Sequence, residues 1–213
     1  MTEKDVGIIL RVRPYSDTSL IVHWLTCEQG RLATMARGAR RPKSPFRGKL
    51  DLFFGCRIQF RKSSRSDLHQ LNEVVIEESR PWLRTRYDCL QAASVAVSLV
   101  ELVTETDTPV PEIHEQMEGL LTALKTTDAP SVTLGAFEAG FLHEQGFLPD
   151  PEDTGLGKEE KSLLGHWLSH PLVEAPVVKP DSSSFRKVAM WLQSVMIHEF
   201  GRLPKGRSQM LDL

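Results

Sequence analysis

The chain has 213 residues, 40% of them hydrophobic and 25% charged, with a formal net charge of −2 at pH 7. That is enough material for two modest cores, and no stretch approaches the roughly 18–20 uncharged apolar residues of a membrane span. The polar start Met1-Thr2-Glu3-Lys4-Asp5 lacks the apolar run of a signal peptide, so a cytoplasmic location is expected.

The small net charge hides a division. Residues 1–86 carry 17 basic and 9 acidic side chains, whereas residues 87–213 carry 9 basic and 19 acidic. A swing of that size predicts a boundary between two units with different jobs, placed here between 1–80 and 81–213.

The first unit reads as short alternating strands. Ile8, Leu10 and Val12 alternate with Ile9, Arg11 and Arg13, and a turn follows over Pro14-Tyr15-Ser16-Asp17. Leu20, Val22 and Trp24 make a second strand, with a tight turn at Glu28-Gln29-Gly30. Leu32, Thr34 and Ala36 make the third, opposite Arg31, Met35 and Arg37. A fourth strand is predicted over 50–61, with Leu50, Leu52, Phe54, Cys56, Ile58 and Phe60 on one face. The fifth covers roughly 70–77. Five strands with one long loop, 38–49, fit a Greek-key barrel of the OB type.

Between Arg31 and Arg65 stand eleven Lys or Arg residues and one acid, Asp51. The pleat that buries Leu50 to Phe60 exposes Arg57 and Arg61, and the same logic exposes Arg31 and Arg37. The loop adds Arg40, Arg41, Lys43, Arg47 and Lys49 with no acid, and is expected to be mobile until an anion orders it. A positive patch of this density attracts a polyanion, above all nucleic acid; the plain alternative is a solvated loop. Phe46 in the middle of the loop could stack on a nucleobase or tuck against the barrel as an anchor.

From Arg86 onward the period becomes helical. Helices are predicted over 87–106, 111–125, 130–145, 158–169 and 183–200, the first as the central buried one. Pro111 and Pro130 suit first turns, Gly146 suits a C-terminal cap, and Ser182-Ser183-Ser184 suits an N-cap. Irregular, proline-rich segments break this half near 146–157 and 170–181. The tail after Gly201 reads as basic and frayed. The fold expectation is therefore α+β multidomain: a five-stranded OB barrel followed by an all-α helical domain.

The sequence offers no enzyme signature. His166 and His170 stand four apart but lack a general-base Glu between them, and there is no GxSxG, P-loop or GxGxxG. Asp150, Glu152 and Asp153 lack the EF-hand spacing. Cys27, Cys56 and Cys89, with no CxxC, exclude a disulfide framework and a multi-thiolate zinc site, and read as buried thiols. No catalytic residue, metal or cofactor is expected, and the chain reads as a binding protein.

Gly7-Ile8-Ile9-Leu10, Tyr15 to Leu20, Thr26 to Gly30, Ala36-Arg37-Gly38-Ala39-Arg40, Leu50 to Phe54 and Gly146-Phe147-Leu148-Pro149 together resemble the RecO family of bacterial recombination mediators. The resemblance implies an OB fold joined to a helical domain. It also implies non-enzymatic binding of single- and double-stranded DNA, annealing of complementary strands, and a nucleoid-associated, cytoplasmic protein. Its implied partners are RecR, the C-terminal tail of single-strand-binding protein and, indirectly, the RecA filament. The four-cysteine zinc site of many members is not carried over, because residues 147–165 contain no cysteine. The DNA contacts expected are Arg31, Arg37, Arg40, Arg41, Lys43, Phe46, Arg47, Lys49, Arg57 and Arg61. The partner contacts expected are Phe185, Arg186, Lys187 and Trp191, a base pair of residues beside apolar ones that suits an acidic, apolar tail. Two other readings stay open: an OB barrel that binds RNA, and a scaffold whose opposite charges neutralise each other.

Overall fold

The computed structural model describes residues 2–149, 154–179 and 181–211. Asp150, Glu152 and Asp153 lie outside the described residues. The chain divides into two units, Met1–Pro81 with Thr104–Glu115, and Trp82–Val103 with Gln116–Leu213.

The first unit is a closed barrel of β1 (Thr2–Pro14), β2 (Leu20–Thr26), β3 (Gly30–Ala36), β4 (Gly55–Arg61) and β5 (Leu68–Glu78). Its strand order is β1-β2-β3-β5-β4, with β4 pairing back onto β1. All pairs are antiparallel except β3 with β5. This is the five-stranded OB architecture. Trp24, Cys56, Ile58 and Phe60 fill the interior, and the Trp24 indole N–H donates to Thr34 Oγ1 at 2.8 Å, so the ring is buried without an orphaned polar group.

β1 serves two neighbours. Its residues 2–8 pair with β4 and residues 7–14 with β2, with a register shift between Ile9 and Arg11. The fourth strand departs from the expected 50–61. Alternation over 50–54 is not strand: Leu52 is 42% exposed and Phe53 is buried with φ 62°. The reason lies in β1, since the Phe53 N–H donates to the Ile9 carbonyl at 2.8 Å and the Ile9 N–H donates to the Phe54 carbonyl at 3.0 Å. The turn at 51–54 thus satisfies the β1 backbone just past its last pair with β4, Ile8 with Gly55.

Residues 104–110, expected to continue a helix or its linker in the second half, group with the barrel instead. Asp107 N–H donates to the Arg31 carbonyl at 2.7 Å, and Thr106 bridges to Arg31. His69 Nε2 meets Asp107 Oδ1 at 3.1 Å, while its ring stacks on Phe60. Gly30 is required here, because a Cβ would lie 1.7 Å from the Thr108 carbonyl oxygen at a φ of +70°.

The second unit contains α1 (Tyr87–Val103), most of α2 (Pro111–Thr126), α3 (Pro130–Glu144), α4 (Lys158–Ser169), α5 (Ser183–Phe200) and α6 (Arg207–Leu211). The central helix is α3 rather than α1: residues 132–139 are all buried, and α3 packs against α1, α4 and α5. Small side chains permit this, since a Cβ on Gly135 would meet Phe185 at 3.1 Å and Trp167 at 3.2 Å. The helix ends in a Schellman motif, with Gly146 N–H donating to His143 and Phe147 N–H to Leu142. The Phe147 ring then packs edge-on against Phe200 at 4.9 Å. Ser182 caps α5 by accepting from Phe185 N–H at 3.2 Å.

The tail after Gly201 is not frayed. Arg207 and Glu138 are both fully buried and joined by a fork, with Nε at 2.9 Å from Oε1 and Nη2 at 2.9 Å from Oε2. Arg207 also donates to the Ala189 carbonyl and to Gln193. Burial pushes the Glu138 carboxyl up, and the Arg207 guanidinium opposes that shift. The expected basic tail is thus an anchor for α6 on α3 and α5.

Breaking one side of such a pair strands a buried charge, at about 3–5 kcal/mol. Arg207→Met should therefore lower stability by that amount in urea unfolding followed by helical circular dichroism. The double variant with Glu138→Leu should recover most of it.

Burial pushes the Cys56 thiol up to about 12 and the Cys89 thiol up to about 11. Cys27 departs from the expected burial, because it sits exposed in the β2–β3 turn. At pH 8 a thiol reagent should label one cysteine per native chain and all three in denaturant.

Candidate nucleic-acid interface

The loop 38–49 is a folded chain of turns rather than a mobile strap. Arg41 N–H donates to Gly38 at 3.0 Å, Ser44 to Arg41 at 3.0 Å, Arg47 to Ser44 at 3.2 Å and Lys49 to Phe46 at 3.0 Å. The β1–β2 turn holds its near end: Arg40 N–H donates to the Thr18 carbonyl at 2.9 Å, and Gly38 N–H donates to Ser19 Oγ at 3.3 Å. Phe46 holds its middle, with the ring 7% exposed in the barrel core beside Ala39 and Leu20. Of the two roles open to Phe46, the anchor is the one observed, and its ring is not available for stacking on a base. Hydrophobic burial in the loop itself, invisible in a count of its charges, is what orders it.

The cations on this loop face solvent. Arg40, Arg41, Lys43 and Arg47 are exposed. Arg40 and Arg47 donate only to backbone carbonyls, of Ser16 and Pro42, and Lys49 donates to the Val74 carbonyl. None of these five, nor Arg37, has a carboxylate partner among the described residues. The loop encloses a groove of about 370 Å³, floored by Leu20, Ala39, Phe46 and Leu50 and rimmed by Arg40, Arg41 and Arg47.

The strand cations behave differently. Arg61, at the end of β4, is exposed and aligned with Gln70 of β5, which is aligned with Met35 of β3. These three side chains therefore stand in one row, about 10 Å from end to end. Met35 is in turn aligned with Ile21 of β2, and Ile21 with Arg13 of β1. The row is framed by two exposed cations, Arg13 and Arg61, neither with a carboxylate partner among the described residues. Alternation in the sequence marks Arg13 only as a strand residue, and its place in this row depends on the pairing of β1 with β2.

Two expected contacts are engaged in the fold. Arg31 donates through Nε to Thr104 Oγ1 at 2.6 Å and through its other nitrogen to the Thr104 carbonyl, tying down residues 104–110. Arg57 forms a cross-strand pair with Glu77. Nor do Arg31 and Arg57 share neighbouring strands, because β3 is flanked by β2 and β5. The expected partner cluster also disperses. Phe185 is 1% exposed in the helical core, and Lys187 is held by Glu160 at 2.9 Å. The Lys187 ammonium and two backbone N–H groups hold the Glu160 carboxyl below its usual range, and that contact raises the Lys187 amine. Arg186 stays exposed and Trp191 half-buried.

No group of three or more His, Cys, Asp or Glu side chains among the described residues is placed to hold a metal. His166 and His170 stack on one another at 4.1 Å, and each meets a backbone carbonyl. No helix among the described residues is long and apolar enough to cross a membrane.

If Phe46 is the anchor of the loop, removing it should be felt as lost stability. Phe46→Ala should cost about 3–5 kcal/mol in denaturant unfolding, whereas Lys43→Ala, a few residues away and exposed, should fall within about 0.5 kcal/mol of the parent.

Comparison with known proteins agrees with this architecture. Residues 1–80 match the family model described as Recombination protein O N terminal, and residues 84–176 match Recombination protein O C terminal. A DNA repair protein RecO from Anaeromyxobacter sp. (strain K) is 31% identical over 146 residues, 68% of this chain and 58% of that protein. One from Rhodopirellula baltica is 31% identical over 144 residues, 68% of this chain and 53% of that protein. One from Haemophilus influenzae is 32% identical over 146 residues, 68% of this chain and 60% of that protein. The chain thus matches less than two thirds of the length of these relatives. With the two family models covering 1–80 and 84–176, the chain belongs to the Recombination protein O (RecO) family.

Proposed function

We propose that this chain is a non-enzymatic DNA-binding protein of recombinational repair that holds sugar-phosphate backbones on the barrel unit and promotes annealing of complementary strands. The observation that carries the reading is the set of exposed cations on loop 38–49 with no carboxylate partner among the described residues. Two DNA strands repel one another. A surface that neutralises their phosphates lowers that repulsion and raises local strand concentration, so that pairing proceeds without any covalent chemistry. The phosphate contacts proposed are Arg37, Arg40, Arg41, Lys43, Arg47 and Arg61, with Lys49 secondary. Arg31 and Arg57 leave the set because each is already engaged. In five-stranded barrels of this kind, the β2–β3 face and the loops after β1 and β4 are the surfaces that take oligonucleotides, and Arg65 in the latter loop is exposed.

Family membership supports RecR, the single-strand-binding protein tail and the RecA filament as partners of this chain. Arg186 and Trp191 are the residues proposed for a tail contact, since Phe185 is buried and Lys187 is paired with Glu160.

Titration of a labelled oligonucleotide at several salt concentrations tests the proposal. Each engaged cation contributes about −0.7 to the slope of log K against log[salt] on a single strand. Replacing Arg40, Arg41 and Lys43 together by Ala should flatten that slope by about two units, whatever the sequence, and should slow annealing of complementary strands. An unchanged slope would remove the loop from the interface. A matched RNA strand that outcompetes DNA would move the reading to RNA.

A further inference from the structure

We infer that Tyr15 is the residue through which the barrel distinguishes an unpaired strand from a duplex, by stacking on an exposed nucleobase. This rests on the proposed function and names the ligand chemistry of the same site. The barrel unit contains six Phe, Tyr and Trp side chains. Trp24, Phe46, Phe53, Phe54 and Phe60 are all buried, whereas Tyr15 is 57% exposed. The surroundings of that ring point to a use.

Tyr15 opens the β1–β2 turn, where its N–H donates to the Ser19 carbonyl at 3.0 Å. That turn is tied to the basic loop by three hydrogen bonds: Arg40 N–H to Thr18, an Arg40 guanidinium nitrogen to the Ser16 carbonyl at 3.3 Å, and Gly38 N–H to Ser19 Oγ. The residue before it, Pro14, is aligned with Leu20, which lines the groove under the loop. Two residues before it stands Arg13, one end of the row that crosses Ile21 and Met35 to reach Arg61. The residue with the exposed ring is therefore carried by a turn bonded to the basic loop and stands two residues from the exposed Arg13.

Phosphate contacts hold either form of DNA and by charge density favour the duplex. Base faces favour the single strand. In a duplex each face is covered by its neighbours, whereas in a single strand it is open to an aromatic ring. A rigid turn that holds Tyr15 beside the cations supplies that discrimination without reading sequence, since every base has a face.

The test compares full-length variants on one labelled oligonucleotide of mixed sequence, free and annealed to its complement. Tyr15→Ala should weaken single-strand binding about tenfold and change duplex binding less than about twofold. The salt slope should stay the same, because no cation is removed. Tyr15→Phe should bind like the parent, and Tyr15→Leu, which keeps apolar bulk without a ring, should bind like Tyr15→Ala. Thermal unfolding of the variants should match the parent, since the ring is exposed. Single-strand binding unaltered in both Tyr15→Ala and Tyr15→Leu would overturn the inference, as would equal losses on single strand and duplex. A parent chain that binds neither oligonucleotide at low salt would overturn the proposed function, and this inference with it.

Discussion

β1 must pair with two partners at once, and much of the barrel unit follows from how it does so. A strand that follows β4 over its first half and β2 over its second has to bend. The register shift between Ile9 and Arg11 is that bend. The β4 ladder ends at the pair of Ile8 with Gly55, so the Ile9 N–H and carbonyl lie just past it, and a buried backbone group without a partner costs as much as a lost hydrogen bond. The turn at 51–54 supplies both partners, which forces Phe53 to a φ of 62°. Left-handed backbone is unfavourable for a side chain of that size. It is held because the ring is buried and because the buried Arg80 guanidinium donates to the Phe53 carbonyl. Closure of the barrel, the position of the loop before this turn and the start of β4 are thus one linked solution.

That linkage marks where the sequence was legible and where it was not. Period-two alternation located all five strands because one face of each is buried, and it placed Arg57 and Arg61 outside correctly. It failed at 50–54, where apolar residues also alternate but serve a turn dictated by β1, many residues away in the chain. The helices were legible for a similar reason: Pro111 and Pro130 fix their starts and Gly201 caps α5 in the left-handed region. The central position of α3 was not legible, because a helix buried on nearly all sides carries no stripe to read. Nor was the role of Arg207, since a lone cation after a glycine looks solvated unless its partner Glu138, 69 residues earlier, is known.

The candidate interface divides along the same line. A count of bases found the loop and its charge, because charge is a composition property. It could not separate cations with no carboxylate partner among the described residues from cations already paired or bonded within the fold. Arg31 and Arg57 look like the others in sequence, yet the first secures residues 104–110 and the second crosses to Glu77. Phe46 is buried and Tyr15 exposed for a physical reason. The ring inside the loop is the one that can reach the core without distorting a strand. The ring at the turn cannot, because Pro14 ends the β1 ladder just before it.

Anchoring by Phe46 also changes the energetics of recognition. A mobile loop would lose conformational entropy at the moment it ordered on a polyanion, at about 1–2 kcal/mol for each residue fixed. A loop already folded on its own turns and one buried ring meets that cost during folding, so on the proposed function the attraction between its cations and a phosphate chain is largely retained as affinity. The same rigidity lets neighbouring features act together. The β1–β2 turn that carries Tyr15 is bonded to the loop through Arg40 and Gly38. On the proposed function, charge gathers either form of DNA, and the exposed ring on the neighbouring turn gives the unpaired form its advantage.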